Sequence, residues 1–384
     1  MKLVSLKKKI KILYVSSSMG GGIVTVIENL LKYFNNDTFL SKYLLFRNQT
    51  NIKKIGIIVK TFFKFKKSYL SNAQKHDIIH FHGAWRLHML LPLIYDVGVP
   101  TLISLHGALH KVSLRKSKVK KLIIKQVYMK KVLLTSNCIH ALSVEEAQDI
   151  RDYGINNVPI AIIPNGIDMH ENLTIDSIKK DELITIANGR KILLSLSRLH
   201  EAKGIDMLIN AFAKLYQENK DNVLFIVGNG SAEYKNKLKD LILEYNLTES
   251  VFMLGEMFDD KKNTIYEVAD IFILPSFNEG FGLTVLEALR QYTPVITTNA
   301  TPFQDLESNK CGWYIKPTMI ELYDALKCAT NMKSDDLQIM GKNGYAWVQK
   351  NYSLDVINKK YETLYLWLTG KRKKPDFLIQ KNMN

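Results

Sequence analysis

The sequence predicts an α/β protein made of two doubly wound, Rossmann-like domains that face a cleft. Three observations carry that prediction. Short apolar runs with strand character alternate with helical segments of ten or more residues, the grammar of parallel sheets joined by helical crossovers. The pattern starts twice, at "IKILYVS" and again at "KILLSLS". At 384 residues, the chain is also longer than a single core ordinarily serves.

In the first half, "IKILYVS" reads as a strand, followed by the turn "SSMGGG" and the helix "IVTVIENLLKYF". Further strands read as "YLLF", "DIIHFHG", "TLISLHG", "IHALS" and "IAIIP". The join is "IPNGID", residues 163–168. Pro164 restricts its neighbour there, and Asn165-Gly166 favours a turn. Residues 1–166 and 167–352 are the two domains on this reading. The polar stretch 171–190 reads as a loop or short spacer. After "KILLSLS" come the helix "IDMLINAFAKLYQEN", the strands "NVLFIVG", "VFMLG", "IFILPS", "PVITT" and "GWYI", and helices between them. Residues 353–384 add an amphipathic helix, "LDVINKKYETLYLWL", expected to return to the first domain, and a basic tail.

Composition narrows the classes. No apolar run approaches the ~18 residues of a membrane span, and no signal peptide is read at the N-terminus. The three cysteines, Cys138, Cys311 and Cys328, are far apart and odd in number. They suit a reduced, cytoplasmic protein, and all three are expected to be buried small hydrophobes. The net charge is +16, and nearly all of the surplus precedes residue 170. Lys111–Lys131 has no acidic residue, and "IIVKTFFKFKKSYL" interleaves Phe62, Phe63, Phe65 and Tyr69 with lysines. Basic amphipathic helices of this kind suit an anionic membrane leaflet, at roughly 1 kcal/mol per cation. A solvated basic face is the plainer alternative. Nucleic acid is the third, and no nucleic-acid-binding signature supports it.

The motifs fall at strand ends, where doubly wound domains bind ligands. In "FNEGFGLTVLEAL", Gly280 and Gly282 let backbone N–H groups approach a ligand, and a helix starting near Thr284 points its positive end at the same spot. That combination suits a diphosphate. A carboxylate repels phosphate, so Glu279 is assigned to sugar hydroxyls, and Glu287, about two turns into the helix, to the paired hydroxyls of a ribose. In "SLSRLHEAKGID", Arg198 and Lys203 follow a strand and can neutralise a diphosphate without a metal. The glycine turn ending at Gly21 and Gly22 is a weak dinucleotide fingerprint but a reasonable loop towards a phosphate or sugar. His82 and His106 each precede a glycine at a strand's end, with His106 the better group beside a reacting sugar. His88 and His110 read as surface or packing residues. His80 and His82 share a strand face, yet a third metal ligand and a D-x-D motif are both lacking in the sequence, so no metal is assigned.

Together "NEGFGLTVLEA", "SRLHEAKGID", "IPNGID", "FHGAW" and "LHGAL" resemble the family-4 retaining glycosyltransferases, which have the GT-B fold. The order "LHGAL…IHALS…EE…IR…G…IPNGID" is similar to bacterial enzymes of exopolysaccharide and lipopolysaccharide assembly. The resemblance implies that Glu279 contacts the donor sugar, Glu287 the ribose, and Arg198 and Lys203 the diphosphate. It implies donor contacts from Gly280, Phe281, Gly282, Leu283 and Thr284, with Gly228 and Asn229 framing the base. Gly21 and Gly22 reach in from the acceptor domain, where His82 and His106 lie, His106 at the reaction centre.

The expectation is a metal-independent glycosyltransferase, with no cofactor beyond its nucleotide-diphosphate sugar donor (a UDP-sugar type). Its acceptor is a lipid-linked or growing cell-surface glycan, and it works at the inner face of the plasma membrane. The rival readings are an epimerase or phosphorylase on the same fold, and a binding-only subunit.

Overall fold

A computed structural model describes residues 9–17, 22–46, 55–110, 128–171 and 173–379. The chain divides into two compact units: Met1–Gly166 with Leu354–Asn384, and Ile167–Ser353. The division falls directly after Gly166, within "IPNGID".

The first unit carries a seven-stranded sheet in the order β13-β6-β5-β4-β3-β1-β2. Its strands are β1 (Ile10–Ser16), β2 (Phe39–Leu45), β3 (Ile78–His82), β4 (Thr101–Ser104), β5 (Cys138–Ala141), β6 (Ile160–Ile162) and β13 (Leu378–Ile379). All pairs are parallel except β13 with β6, where Leu378 stands opposite Ala161. Successive strand residues feed opposite cores: Leu13 and Val15 pack on one face, Ile12 and Tyr14 on the other. A sheet covered on both faces needs such continuous apolar runs, and "IKILYVS" supplies one.

The second unit has a six-stranded parallel sheet in the order β12-β11-β10-β7-β8-β9. The strands are β7 (Lys191–Leu196), β8 (Asn222–Val227), β9 (Val251–Gly255), β10 (Ile271–Leu274), β11 (Val295–Thr298) and β12 (Gly312–Ile315). From β7 the chain moves outward through β8 and β9, then returns to β10 on β7's other side. The strand order therefore reverses between β7 and β10. Such a reversal opens a crevice beyond the strands' carboxyl ends. In the first unit the same reversal lies between β1 and β3.

Two expectations are corrected. Residues 171–190 are not merely a spacer: Ser177–Ala187 is a helix, begun by the Asp176 carboxylate accepting from the Lys179 amide at 2.9 Å. Only Leu183 and Ala187 are buried on it, so it has almost no amphipathic signal to read. Cys328 is exposed, unlike Cys138 and Cys311. It lies off the buried face of helix Met319–Asn331, which presents Leu322, Ala325, Leu326 and Ala329 inward.

The helix Leu354–Leu368 belongs to the first unit and packs Ile357, Tyr361, Leu364 and Tyr365 against its sheet. Its tyrosines also enter a buried polar chain. The Tyr365 hydroxyl lies 2.9 Å from His80 Nδ1 and 3.2 Å from the Tyr14 hydroxyl. His80 Nε2 reaches Ser104 Oγ at 2.7 Å, which in turn lies 2.7 Å from His140 Nδ1. Burial, reinforced by neighbouring histidines, holds His80 well below its usual pKa, so the chain is neutral. Tyr365→Phe strands His80 Nδ1 without its partner. It is expected to cost about 1–3 kcal/mol, read as a lower urea midpoint with an unchanged m-value.

Candidate active site

In the second unit the loops after β7 and β10 are tied together. The Ala202 carbonyl accepts from the backbone amides of Phe277 at 2.9 Å and Asn278 at 3.3 Å. That places Lys203, on the turn Glu201–Lys203, beside Glu279: its Nζ forms an ion pair with Glu279 Oε2. Ser276 Oγ donates to the same oxygen at 3.1 Å. Lys203 is only 9% exposed, so this cation and carboxylate neutralise each other in a largely desolvated place. Both contacts fall on Oε2 and leave Oε1 to other donors.

Gly282 precedes the helix Leu283–Arg290 with φ +90°, a conformation that essentially excludes other residues. The unpaired N–H groups of that helix's first turn, at Leu283 and Thr284, lie at the strand-order reversal. Phe281 is a structural anchor: it is buried edge-on against Phe303, with ring centroids 5.3 Å apart. Any ligand contact from Phe281 thus comes from its backbone. Glu287 sits little more than one turn into the helix, less deep than the sequence suggested. Lys262 Nζ donates to its Oε1 at 2.7 Å and the Tyr266 hydroxyl to its Oε2 at 2.9 Å. The carboxylate is fixed in direction before any ligand arrives.

Arg198 is exposed and lines a pocket of about 470 Å³ with His200, Asn229, Ser231, Tyr234 and Lys237. Lys203 turns instead to Glu279. Gly228 comes close to backbone, not open space. At φ +143°, a Cβ there would lie 1.9 Å from the Ser197 carbonyl oxygen. Asn229 is exposed, and its amide donates to Glu256 Oε2 at 3.2 Å.

In the first unit, His82 and His106 stand at the ends of β3 and just past β4, with His82 Nδ1 3.1 Å from His106 Nε2. Their rings stack at 5.3 Å. Loss of hydration, with His140 nearby, pushes the His106 pKa down to about 3, so it stays a neutral imidazole through physiological pH. His82, buried to 1%, is likewise held low by desolvation and then by His80. His88 is fully buried against Phe81, a packing residue. Gly22 opens the helix Gly22–Tyr33; Gly21 and most of its turn lie outside the described residues, as does 111–127 of the basic stretch. Among the described residues, no group of three or more His, Cys, Asp or Glu is arranged to hold a metal ion.

Sequence reading did not find Lys262, Tyr266 and Ser276, which orient the two glutamates, or Glu146, whose carboxylate holds the turn after His106. None carries a motif of its own beyond the "EE" in which Glu146 stands.

Residues 47–171 match the family described as Glycosyltransferase Family 4, and residues 176–347 match Glycosyl transferases group 1. The chain belongs to the family-4 glycosyltransferases. It is 26% identical over 366 residues to the O-antigen biosynthesis glycosyltransferase WclY of Escherichia coli, covering 92% of this chain and 98% of that one. An E. coli UDP-Gal:alpha-D-GlcNAc-diphosphoundecaprenol alpha-1,3-galactosyltransferase is 26% identical over 334 residues, covering 84% and 82%. The fold is that of the GT-B glycosyltransferases. Sucrose-phosphate synthase from Thermosynechococcus elongatus superposes with TM-score 0.73 at 19% identity, covering 95% of this chain and all of that one. Anabaena HepE in complex with UDP gives the same TM-score and identity over 92% and 99%.

This family-4 glycosyltransferase depends on Gly228 for the path of its Arg198 loop. Gly228→Ala drives a Cβ into a carbonyl and should destabilise the protein by roughly 1–3 kcal/mol, visible as a lower Tm in calorimetry.

Proposed function

We propose that the protein transfers a sugar from a nucleotide-diphosphate donor to a lipid-linked cell-surface glycan of the O-antigen or lipopolysaccharide type, without a metal and with retention. The observation that carries this reading is the convergence of Lys203, Glu279 and the Gly280–Leu283 turn where the second unit's strand order reverses. Arg198 and Lys203 serve the diphosphate, whose charge grows as the glycosidic bond breaks, so cations there favour the transition state. Lys203 is released from Glu279 when phosphate arrives, and Glu279 Oε1 takes a donor-sugar hydroxyl. Glu287, already oriented by Lys262 and Tyr266, takes the ribose hydroxyls. His106, a neutral imidazole able to donate and accept, serves the reacting sugar. The O-antigen and diphosphoundecaprenol-linked activities of the two E. coli relatives support the acceptor class.

The basic first unit suits work at an anionic membrane. No helix among the described residues is long and apolar enough to span a bilayer. On the helix Ile55–Ala73, Phe65 and Tyr69 face the core while Phe63, Lys64 and Lys67 are exposed. Phe63 is 58% exposed, an apolar residue among cations on the outward face. Vesicles containing anionic lipid should bind the protein at low salt and release it by ~0.5 M NaCl, where screening acts within a few Å. Salt-insensitive or absent binding counts against a membrane role.

The donor site is tested by thermal shift with UDP, GDP, ADP and CMP in EDTA. One nucleotide at a hundredfold excess over its Kd should stabilise the protein by about 2.7 kcal/mol. Glu287→Gln should weaken that shift, and Lys203→Ala should lower transfer by on the order of 10²–10³-fold. No shift with any nucleotide would defeat the reading.

A further inference from the structure

We infer that Glu146 is a positioning residue for sugar transfer, its carboxylate fixing the backbone turn that presents His106. This rests on the reading of His106 as a reaction-centre group. Glu146 lies in the first turn of the helix Val144–Asp152, only 7% exposed. Its Oε1 accepts from the Gly107 amide at 2.5 Å and its Oε2 from the Leu142 amide at 2.7 Å. One side chain thus bridges the loops that leave β4 and β5.

The turn it holds is unusual. His106 has φ +54° and Gly107 φ +75°, so two successive residues occupy the left-handed region. For a residue with a Cβ this conformation is strained, and it persists only where the surroundings impose it. The imposed contacts are the Glu146 carboxylate on the next amide and the His82 ring on the His106 ring. With the Gly107 amide released, the turn keeps the His82 and His140 rings on His106 and the His110 amide on the Gly107 carbonyl.

A buried glutamate is a costly way to hold an amide if holding were its only effect. Burial pushes the Glu146 pKa up to about 7, with the Gly107 and Leu142 amides pulling it down and Asp149, on the same helix, adding to the rise. Tyr361, on the helix Leu354–Leu368, faces the same charge and has its own pKa raised in part by it. His106 stays neutral across this range. Protonating Glu146 turns one acceptor oxygen into an O–H that opposes an amide N–H. The ionised form is therefore the one that clamps both loops. Because the folded pKa lies above the ordinary 4.5, ionisation between about pH 4.5 and 7 lowers stability. The clamp is held against stability, the opposite of what a purely structural contact would do.

The test compares the full-length parent with E146Q and H106A. The parent's kcat should fall as pH drops through about 7. In a sample labelled with 15N-glycine, the Gly107 amide should titrate with the same midpoint. E146Q should lower kcat by on the order of 10²-fold at pH 8 and lose the acid limb. Its donor KM and nucleotide-induced Tm shift, both set by the other unit, should hold within about threefold. Any Tm deficit of E146Q should shrink as pH rises from 5 to 8. Parent-like kcat and pH profile in E146Q, with H106A inactive, would overturn the inference alone. A parent-like H106A would overturn the reading of His106 as well. If E146Q does not fold, the wild-type measurements decide: a Gly107 amide that titrates apart from kcat overturns the proposal.

Discussion

The Ala202 carbonyl is the point on which the second unit's site hangs. By accepting from Phe277 and Asn278 it locks the loop after β7 to the loop after β10, across the place where the strand order reverses. Without that link Lys203 and Glu279 would be a surface cation and a surface anion, worth ~0–1 kcal/mol as an exposed pair. With it they meet in a largely desolvated spot, where charges interact strongly. Buried aromatics beneath the turn, Phe281 on Phe303 and Phe303 on Trp347, hold the glycine loop in place. The arrangement is therefore preorganised by backbone and by packing.

The three carboxylates at these strand ends solve one physical problem differently. Glu287 is held by a lysine and a tyrosine hydroxyl, Glu279 by a lysine and a serine, and Glu146 by two backbone amides alone. At Glu146 burial outweighs the two amides and pushes the carboxyl pKa up to about 7. A carboxylate aimed at backbone serves geometry, and one aimed at a cation keeps its other lone pairs for a ligand.

The fold was legible because both sheets are buried on two faces and need continuous apolar strands, which "IKILYVS" and "NVLFIVG" announce. The helix 177–187 was not legible, since a helix that buries only Leu183 and Ala187 leaves no periodic stripe. Glu279, Glu287, Arg198 and Lys203 could be put at strand ends from their spacing to the preceding strands. Their partners could not: Lys262 lies 25 residues before Glu287, and Glu146 39 residues after Gly107. Periodicity assigns a residue to a face, and only the register of distant strands decides what it meets there. Cys328 was legible by the same rule, since Leu322, Ala325, Leu326 and Ala329 recur at helical spacing and leave it off their stripe.

The histidines of the first unit show how far such register effects reach. His80 and His82 share a strand face in sequence with no third metal ligand beside them, and the parallel pairing of β3 with β4, with His80 opposite Leu102 and His82 opposite Ser104, brings His106 next to His82. What forms at His80 is a neutral relay of hydrogen bonds, with Ser104 between the His80 and His140 rings and Tyr365 between His80 and Tyr14. Desolvation keeps every ring uncharged, so none repels its neighbour and the chain can be fully buried. His106, bonded to His82 and set edge-on to His140, stays neutral and can donate to or accept from a hydroxyl without carrying charge. The C-terminal helix contributes two of the chain's hydroxyls, Tyr365 on His80 and Tyr361 on His140, so these ring positions depend on residues 285 and 221 positions away in sequence.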